Sequence, residues 1–356
     1  EIIMMSDQTK RQTLGFVFLA LLIAGILYGT SYQQFRHFDL SDMRGIADPP
    51  GYIEMAHGNF AVDPIHRYRP FIPWLASAVS SLVEPVVGAH ANTDIVSFYI
   101  VNYLIIVATA LFLFYFLINV TGSVLLSFIG LLLFLGSRYT IIAAATPIVD
   151  SFYSCSIAAF AWLVVTRRLR LLALALPLMV LSKEIMIPFL LLPLVMREFR
   201  RWEYVLGLAA AAGAFLAMRY GINALYATQL ENYRSASYTA SESRGLAFEI
   251  REILEVGWNG ILRLGPKIFT LRELHNWQSG FAFALPLAIA GIIICIRRKT
   301  TGIALPVVLI LPIAFVYALL NDNTGRLLFS AFPTIIAFAL IAVQEILKRV
   351  TFKNDS

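Results

Sequence analysis

Long apolar runs broken by short polar ones set the pattern of this chain. Runs of roughly 18–22 residues with few charges recur between residues 14 and 347, the length a helix needs to cross a bilayer core about 30 Å thick. Alternating ten-residue segments of the kind that build membrane β-barrels do not occur in the sequence. The pattern predicts about ten helical spans, over 14–31, 97–119, 123–142, 150–166, 170–182, 185–197, 203–222, 279–296, 303–320 and 327–347. The apolar stretch 71–87 carries Glu84 and two prolines and reads as an interfacial or re-entrant helix.

The run "RLLALALPLMVLSKEIMIPFLLLPLVMREFRR" is basic at both ends, so both ends belong on one side of the membrane. Ser182, Lys183 and Glu184 then form the tip of a hairpin. Each arm is about 12 residues, or roughly 18 Å of helix, which falls short of the far surface. A bare lysine or glutamate in lipid costs about 3 kcal/mol or more, so the tip faces a wet cavity or partners.

Composition agrees with the pattern. Of the 356 residues 59% are hydrophobic and 14% charged, and the mean hydropathy is +0.74. A soluble domain of this size cannot hide so much apolar side chain. The expected fold class is all-α: a polytopic membrane protein with about ten transmembrane helices plus interfacial helices in the outer loops. One transmembrane domain is expected over 1–356, with outer loops 32–96 and 223–278 covering the site. The first apolar run lacks a small-residue cleavage site and reads as a retained anchor.

The net charge of +6 does not point to nucleic acid, because the basic residues gather in clusters between the apolar runs. Lys10 and Arg11, "TRRLR" (166–170), "REFRR" (197–201), "IRRK" (296–299) and "LKR" (347–349) fall on one side when both termini are cytoplasmic and 71–87 does not cross. The sequon "NVT" (119–121) then lies in a cytoplasmic turn and is discounted. Cys155 and Cys295 lie near opposite faces, so no disulfide is expected.

That topology gathers ionisable residues from distant stretches at the outer face. Asp48 precedes two prolines in "ADPPGYIEMA", Asp150 stands at the mouth of a span in "ATPIVDSFY", Lys183 and Glu184 sit at the hairpin tip, and Arg326 opens "GRLLFSAFP". Ionisable groups in a membrane mark functional sites by default. An acid can act as general base on an acceptor hydroxyl, and cations can stabilise a departing phosphate. Each residue also has a plainer reading. Asp48 and Asp150 fit helix caps, Lys183 and Glu184 fit structural ion pairs, and Arg326 fits a snorkelling interface residue. "HRYRPFIPWL" adds Arg67, Tyr68 and Arg69, a phosphate grip or a headgroup anchor. Arg138 and Tyr139 end a span on the same face. His57 and His66 match no metal-ligand spacing. In the long loop, Leu246, Ile250, Ile253 and Leu254 have helical spacing and predict an amphipathic helix over the membrane or the site.

Through "DPPGY", "YRPFIP", "PIVDSFY", "SKE" and "RLLFSAFP", in that order from about residue 15 to 347, the chain resembles the GT-C superfamily of integral-membrane glycosyltransferases, which includes protein mannosyltransferases and aminoarabinose transferases. The resemblance implies an inverting transfer of a sugar from a polyprenyl-phosphate donor to a glycan, lipid or protein acceptor at the outer, periplasmic face of a bacterial inner membrane. It implies Asp48 as catalytic base with Asp150 orienting base or sugar, and Lys183, Arg326, Arg69 and Arg67 on the donor phosphate. Tyr52, Glu184, Tyr68 and Arg138 are expected at the substrate. Many members carry paired acids in the first loop, which leaves Asp39 and Asp42 as alternative bases. No cofactor is implied with certainty, and a divalent cation stays open because only some of the superfamily uses one.

Two further readings stand beside this one. A polymerase or ligase on polyprenyl-pyrophosphate glycans would centre on arginine-rich outer loops. A lipid-linked-sugar flippase or transporter would show inverted repeats and mid-depth polar groups. The sequence has no P-loop, no G-x-G-x-x-G after a strand, no H-E-x-x-H, no C-x-x-C and no G-x-S-x-G, which removes support for ATP-driven transport, dinucleotide redox chemistry and zinc proteolysis.

Overall fold

A computed structural model describes residues 7–39, 48–88, 91–230, 270–281, 283–298, 303–319 and 324–354. Among them every regular element is a helix. In chain order these are α1 (Asp7–Arg36), α2 (Pro49–Ala56), α3 (Pro64–Arg67), α4 (Phe71–Val87), α5 (Ala91–Thr121), α6 (Val124–Leu135), α7 (Arg138–Ala145) and α8 (Asp150–Val165). Then come α9 (Leu169–Val180), α10 (Met186–Leu191), α11 (Trp202–Leu225), α12 (Leu271–Phe281), α13 (Ala284–Arg298), α14 (Leu305–Leu319), α15 (Thr324–Leu328) and α16 (Phe332–Asn354). Short 3₁₀ turns follow α10 and α15.

Among the described residues four stretches are long and apolar enough to cross a membrane: Thr13–Arg36, Thr93–Thr121, Trp202–Leu225 and Gly325–Lys348. Counting each of two bent helix pairs, α6–α7 and α12–α13, as one span raises the number to six. The apolar helices α4, α8, α9 and α14 are shorter, and α10 reaches comparable length only with its 3₁₀ turn. The stretch expected as one span over 123–142 is two helices meeting at 63°. Gly136 caps α6 and Ser137 is extended, so the backbone turns before α7 begins. The expected span 185–197 is α10 followed by 3₁₀ turns, with prolines at 188 and 193 interrupting the α ladder.

Burial orders the bundle. The Gly325–Lys348 stretch is 78% buried and Thr13–Arg36 only 11%, so α16 is the central post and α1 presents most of its apolar surface outward. Small residues let backbones approach, as membrane helices require. A methyl group on Gly207 of α11 would meet the Ala173 carbonyl oxygen of α9 at 2.7 Å. One on Gly291 of α13 would collide with the Phe338 backbone of α16. Tyr204 of α11 donates to the Leu190 carbonyl at 2.6 Å, tying the end of α10 to the same pair.

The helix expected from Leu246 onward, with Ile250, Ile253 and Leu254, lies outside the described residues, as does Asp42.

Candidate functional site

Asp48 occupies the residue before the first turn of α2, where a short acidic side chain ordinarily caps the helix. It makes no capping bond. Pro49 and Pro50 fill the first two helical positions and bring no N–H, which removes one of the donors a cap would satisfy. The carboxylate turns elsewhere. One oxygen accepts from Arg326 Nη2 at 2.7 Å, and the other lies 3.5 Å from His66 Nε2.

Asp150 is the first residue of α8, one position past its cap residue Val149. The break before it, 146–149, is pinned by a buried residue of α5. Asn102 Nδ2 donates to the carbonyls of Thr146 at 2.8 Å and Ile148 at 3.0 Å, and its Oδ1 accepts from Ser151 Oγ at 2.5 Å. The Asp150 carboxylate, 13% exposed, accepts from the Lys183 ammonium and, at 2.5 Å, from Arg326. Arg326 therefore bridges two acids that lie 102 positions apart in sequence (48 and 150). It stands in α15, which packs tightly on its neighbours. A methyl on Gly325 would strike the Tyr139 hydroxyl and approach Asn276 Cβ at 3.1 Å.

Lys183 and Glu184 sit in the turn between α9 and α10. Neighbouring in sequence, they take different partners: Lys183 takes Asp150, while Glu184 accepts two bonds from Arg69, at 3.1 and 2.8 Å. Arg69 also lies beside Tyr52, which is fully buried with its ring 5.0 Å from that of His66. The result is a cluster of three carboxylates and three fixed cations, drawn from the first loop, α8, the α9–α10 turn and α15.

Burial pushes the Asp48 carboxyl up, but the His66 and Arg326 contacts outweigh it and hold the group well below the usual carboxylate range. Burial pushes the Tyr52 phenol up. An ionised acid can accept a proton from a hydroxyl, and the fixed cations beside it can balance charge on an anion.

Other expected site residues are placed differently. Arg67 is 1% exposed and turned into the loop, donating to the carbonyls of Phe60 at 3.1 Å and Val62 at 2.9 Å. Arg138 is exposed at the first residue of α7. Tyr68 donates to Asn223 Oδ1 at 3.0 Å, joining the first loop to the end of α11. Asp39 is exposed beyond α1. His57 pairs with Asp94 at 2.9 Å, apart from the His66–Asp48 pair, and no three metal-ligating side chains gather among the described residues.

Two polar positions that shape this region were not singled out from sequence. Asn102 sits mid-helix in an apolar run, and a buried amide there is itself the signal, because it must satisfy its bonds locally. Arg219 lies near the end of α11, with its guanidinium over the Tyr68 ring at 4.6 Å and the Phe215 ring at 5.3 Å. Its signal was an arginine one turn inside a span. No protein-family model, curated protein or solved structure matches the chain.

Proposed function

We propose that the chain is a membrane glycosyltransferase of GT-C type that moves a sugar from a polyprenyl-phosphate donor to an acceptor hydroxyl at the outer face of a bacterial inner membrane. The reading takes about ten spans, both termini cytoplasmic, with the shorter helices crossing in concert with the long ones. The observation that carries it is Arg326 held between Asp48 and Asp150, with Lys183 on the second acid, in an ionic cluster assembled from distant stretches of the chain.

Asp48 takes the proton of the acceptor hydroxyl. The acceptor oxygen attacks the anomeric carbon from the side opposite the phosphate, so configuration inverts. The bond between that carbon and the phosphate oxygen breaks, and the phosphate leaves with the electron pair. Lys183 and Arg326 balance the charge it gains. Arg326 is also Asp48's partner, so an arriving phosphate that draws off the guanidinium returns basicity to the carboxylate. Asp150 keeps Lys183 and Arg326 aimed at the phosphate. Glu184 fixes Arg69, and Arg69 with Tyr52 forms the floor.

The test is mass spectrometry of native glycolipids and glycans from cells carrying Asp48→Asn, with membrane protein level measured in parallel. One sugar addition should disappear while the protein persists. An unchanged glycan profile would remove Asp48 as base.

A further inference from the structure

Where α9 and α11 begin, at the far end of α9 from the α9–α10 turn, two short segments carry a second concentration of charge. Residues 166–170 and 197–203 hold six arginines, no lysine and two glutamates, an excess of four positive charges. The segments meet: Arg167 Nη1 lies 3.6 Å from Glu198 Oε1. Phe199 is buried and edge-on to Tyr204 at 6.0 Å, which pins the second segment to α11. All six arginines are exposed.

The turn that carries the first segment is strained. α8 ends in a Schellman motif: the Arg167 N–H donates to the Val164 carbonyl at 3.1 Å and the Arg168 N–H to the Leu163 carbonyl at 3.0 Å. Such a turn needs a left-handed residue just past the cap, where glycine fits without penalty. Here that residue is Arg167, with φ at 54°. Among the described residues it is the only non-glycine with positive φ; Gly58, Gly88 and Gly122 take the others. A left-handed arginine costs backbone energy, and strain of this kind clusters where a side chain is in use. The Glu198 contact does not account for it, because ion pairs exposed on both sides contribute little.

Orienting a span or relieving a helix dipole needs positive charge alone, which lysine supplies equally. Arginine at all six positions favours a planar, forked group, the geometry that takes phosphate oxygens two at a time. Arg168 lays its guanidinium 4.9 Å over the Trp162 ring. Stacking engages the face of the group and leaves its N–H edge for an anion.

Hydrocarbon begins where the arginines stop. Leu171 follows Arg170, and with Leu174 and Leu178 it forms an exposed stripe at helical spacing on α9. Trp202 follows Arg201, and with Val205 and Leu206 it forms an exposed face on α11. A phosphate that brings acyl chains uses both surfaces, whereas an acidic peptide uses the charge alone.

We infer that this arginine collar binds anionic phospholipid headgroups, with Arg167 and Arg168 on the phosphodiester and the acyl chains along the exposed faces of α9 and α11. The inference does not depend on the transferase reading.

Full-length protein, delipidated in detergent, would be titrated with phosphatidylglycerol, phosphatidylcholine and a polyglutamate peptide by native mass spectrometry, with unfolding midpoints measured on the same samples. Phosphatidylglycerol should bind more tightly than phosphatidylcholine and raise the midpoint. Arg167→Gly separates strain from binding. Without lipid its midpoint should rise, since glycine relaxes the turn, while its affinity for phosphatidylglycerol should fall about fivefold, the scale of one basic residue at an anionic surface. Arg168→Gln combined with Arg201→Gln should weaken phosphatidylglycerol about tenfold or more and leave phosphatidylcholine unchanged. Equal affinity for the two lipids would overturn the assignment, as would parental phosphatidylglycerol affinity in Arg167→Gly. A lower lipid-free midpoint in Arg167→Gly would remove the strain on which the choice of Arg167 rests. Displacement of phosphatidylglycerol by polyglutamate at matched charge would make the collar a site for acidic protein and overturn the lipid assignment too.

Discussion

At Asp48 the two following prolines decide what the carboxylate does. The residue stands where a cap would stand, and taken alone in the sequence it reads first as a cap. What resolves it is the missing N–H groups, which were legible, and the Arg326 partner 278 positions away, which was not. Asp150 repeats the lesson, because only the fold brings Lys183 and Arg326 to it. Asp48 also carries a pH signature. Its folded pKa lies below the ordinary 3.8, since burial, which raises it, is outweighed by His66 and Arg326. Its contribution to stability is therefore complete above the ordinary carboxylate range and is lost as pH falls through the lower, folded value. The unfolding midpoint of detergent-solubilised protein should show no Asp48-dependent change between pH 7 and 5, and should drop below about pH 4. Asp48→Asn should flatten part of that acid drop, and equal acid sensitivity in the two proteins would contradict the assignment.

At the level of helices, existence was easier to read than continuity. The apolar runs located α1, α5, α11 and the α15–α16 stretch, because length and hydropathy are properties of the run itself. The break before α8 falls between the expected spans 123–142 and 150–166, whereas the bend between α6 and α7 was not foreseen, because it depends on how the backbone turns at Gly136 and Ser137. Glycines govern how closely these rods pack. Gly291→Leu should drive α13 off α16, since even a methyl there lies 2.7 Å from the Phe338 carbonyl carbon. A loss of about 1–3 kcal/mol is expected, read as a lower unfolding midpoint. Gly15→Leu, which meets nothing within 4 Å, should leave the midpoint unchanged, so an equal loss in both would count against the close-contact account.

For the whole molecule, charge placement predicts a sidedness that reporters can read. If both termini are cytoplasmic, green fluorescent protein fused after Ser356 should fluoresce and alkaline phosphatase there should be silent. Phosphatase fused after His57, beyond α1, should be active. The same signal from both positions would put the cluster and the termini on one side and end the outer-face reading.

The pairing of acids and cations has one more consequence. Three negative and three positive groups packed within contact distance cancel, and such a set projects almost no potential past a Debye length of about 8 Å in physiological salt. The pocket is electrically quiet from afar and cannot fish for its guest through water. On the proposed transferase reading, delivery falls to the bilayer itself: a lipid-tethered donor drifts in two dimensions until it touches the cluster, and only then does it meet a charge.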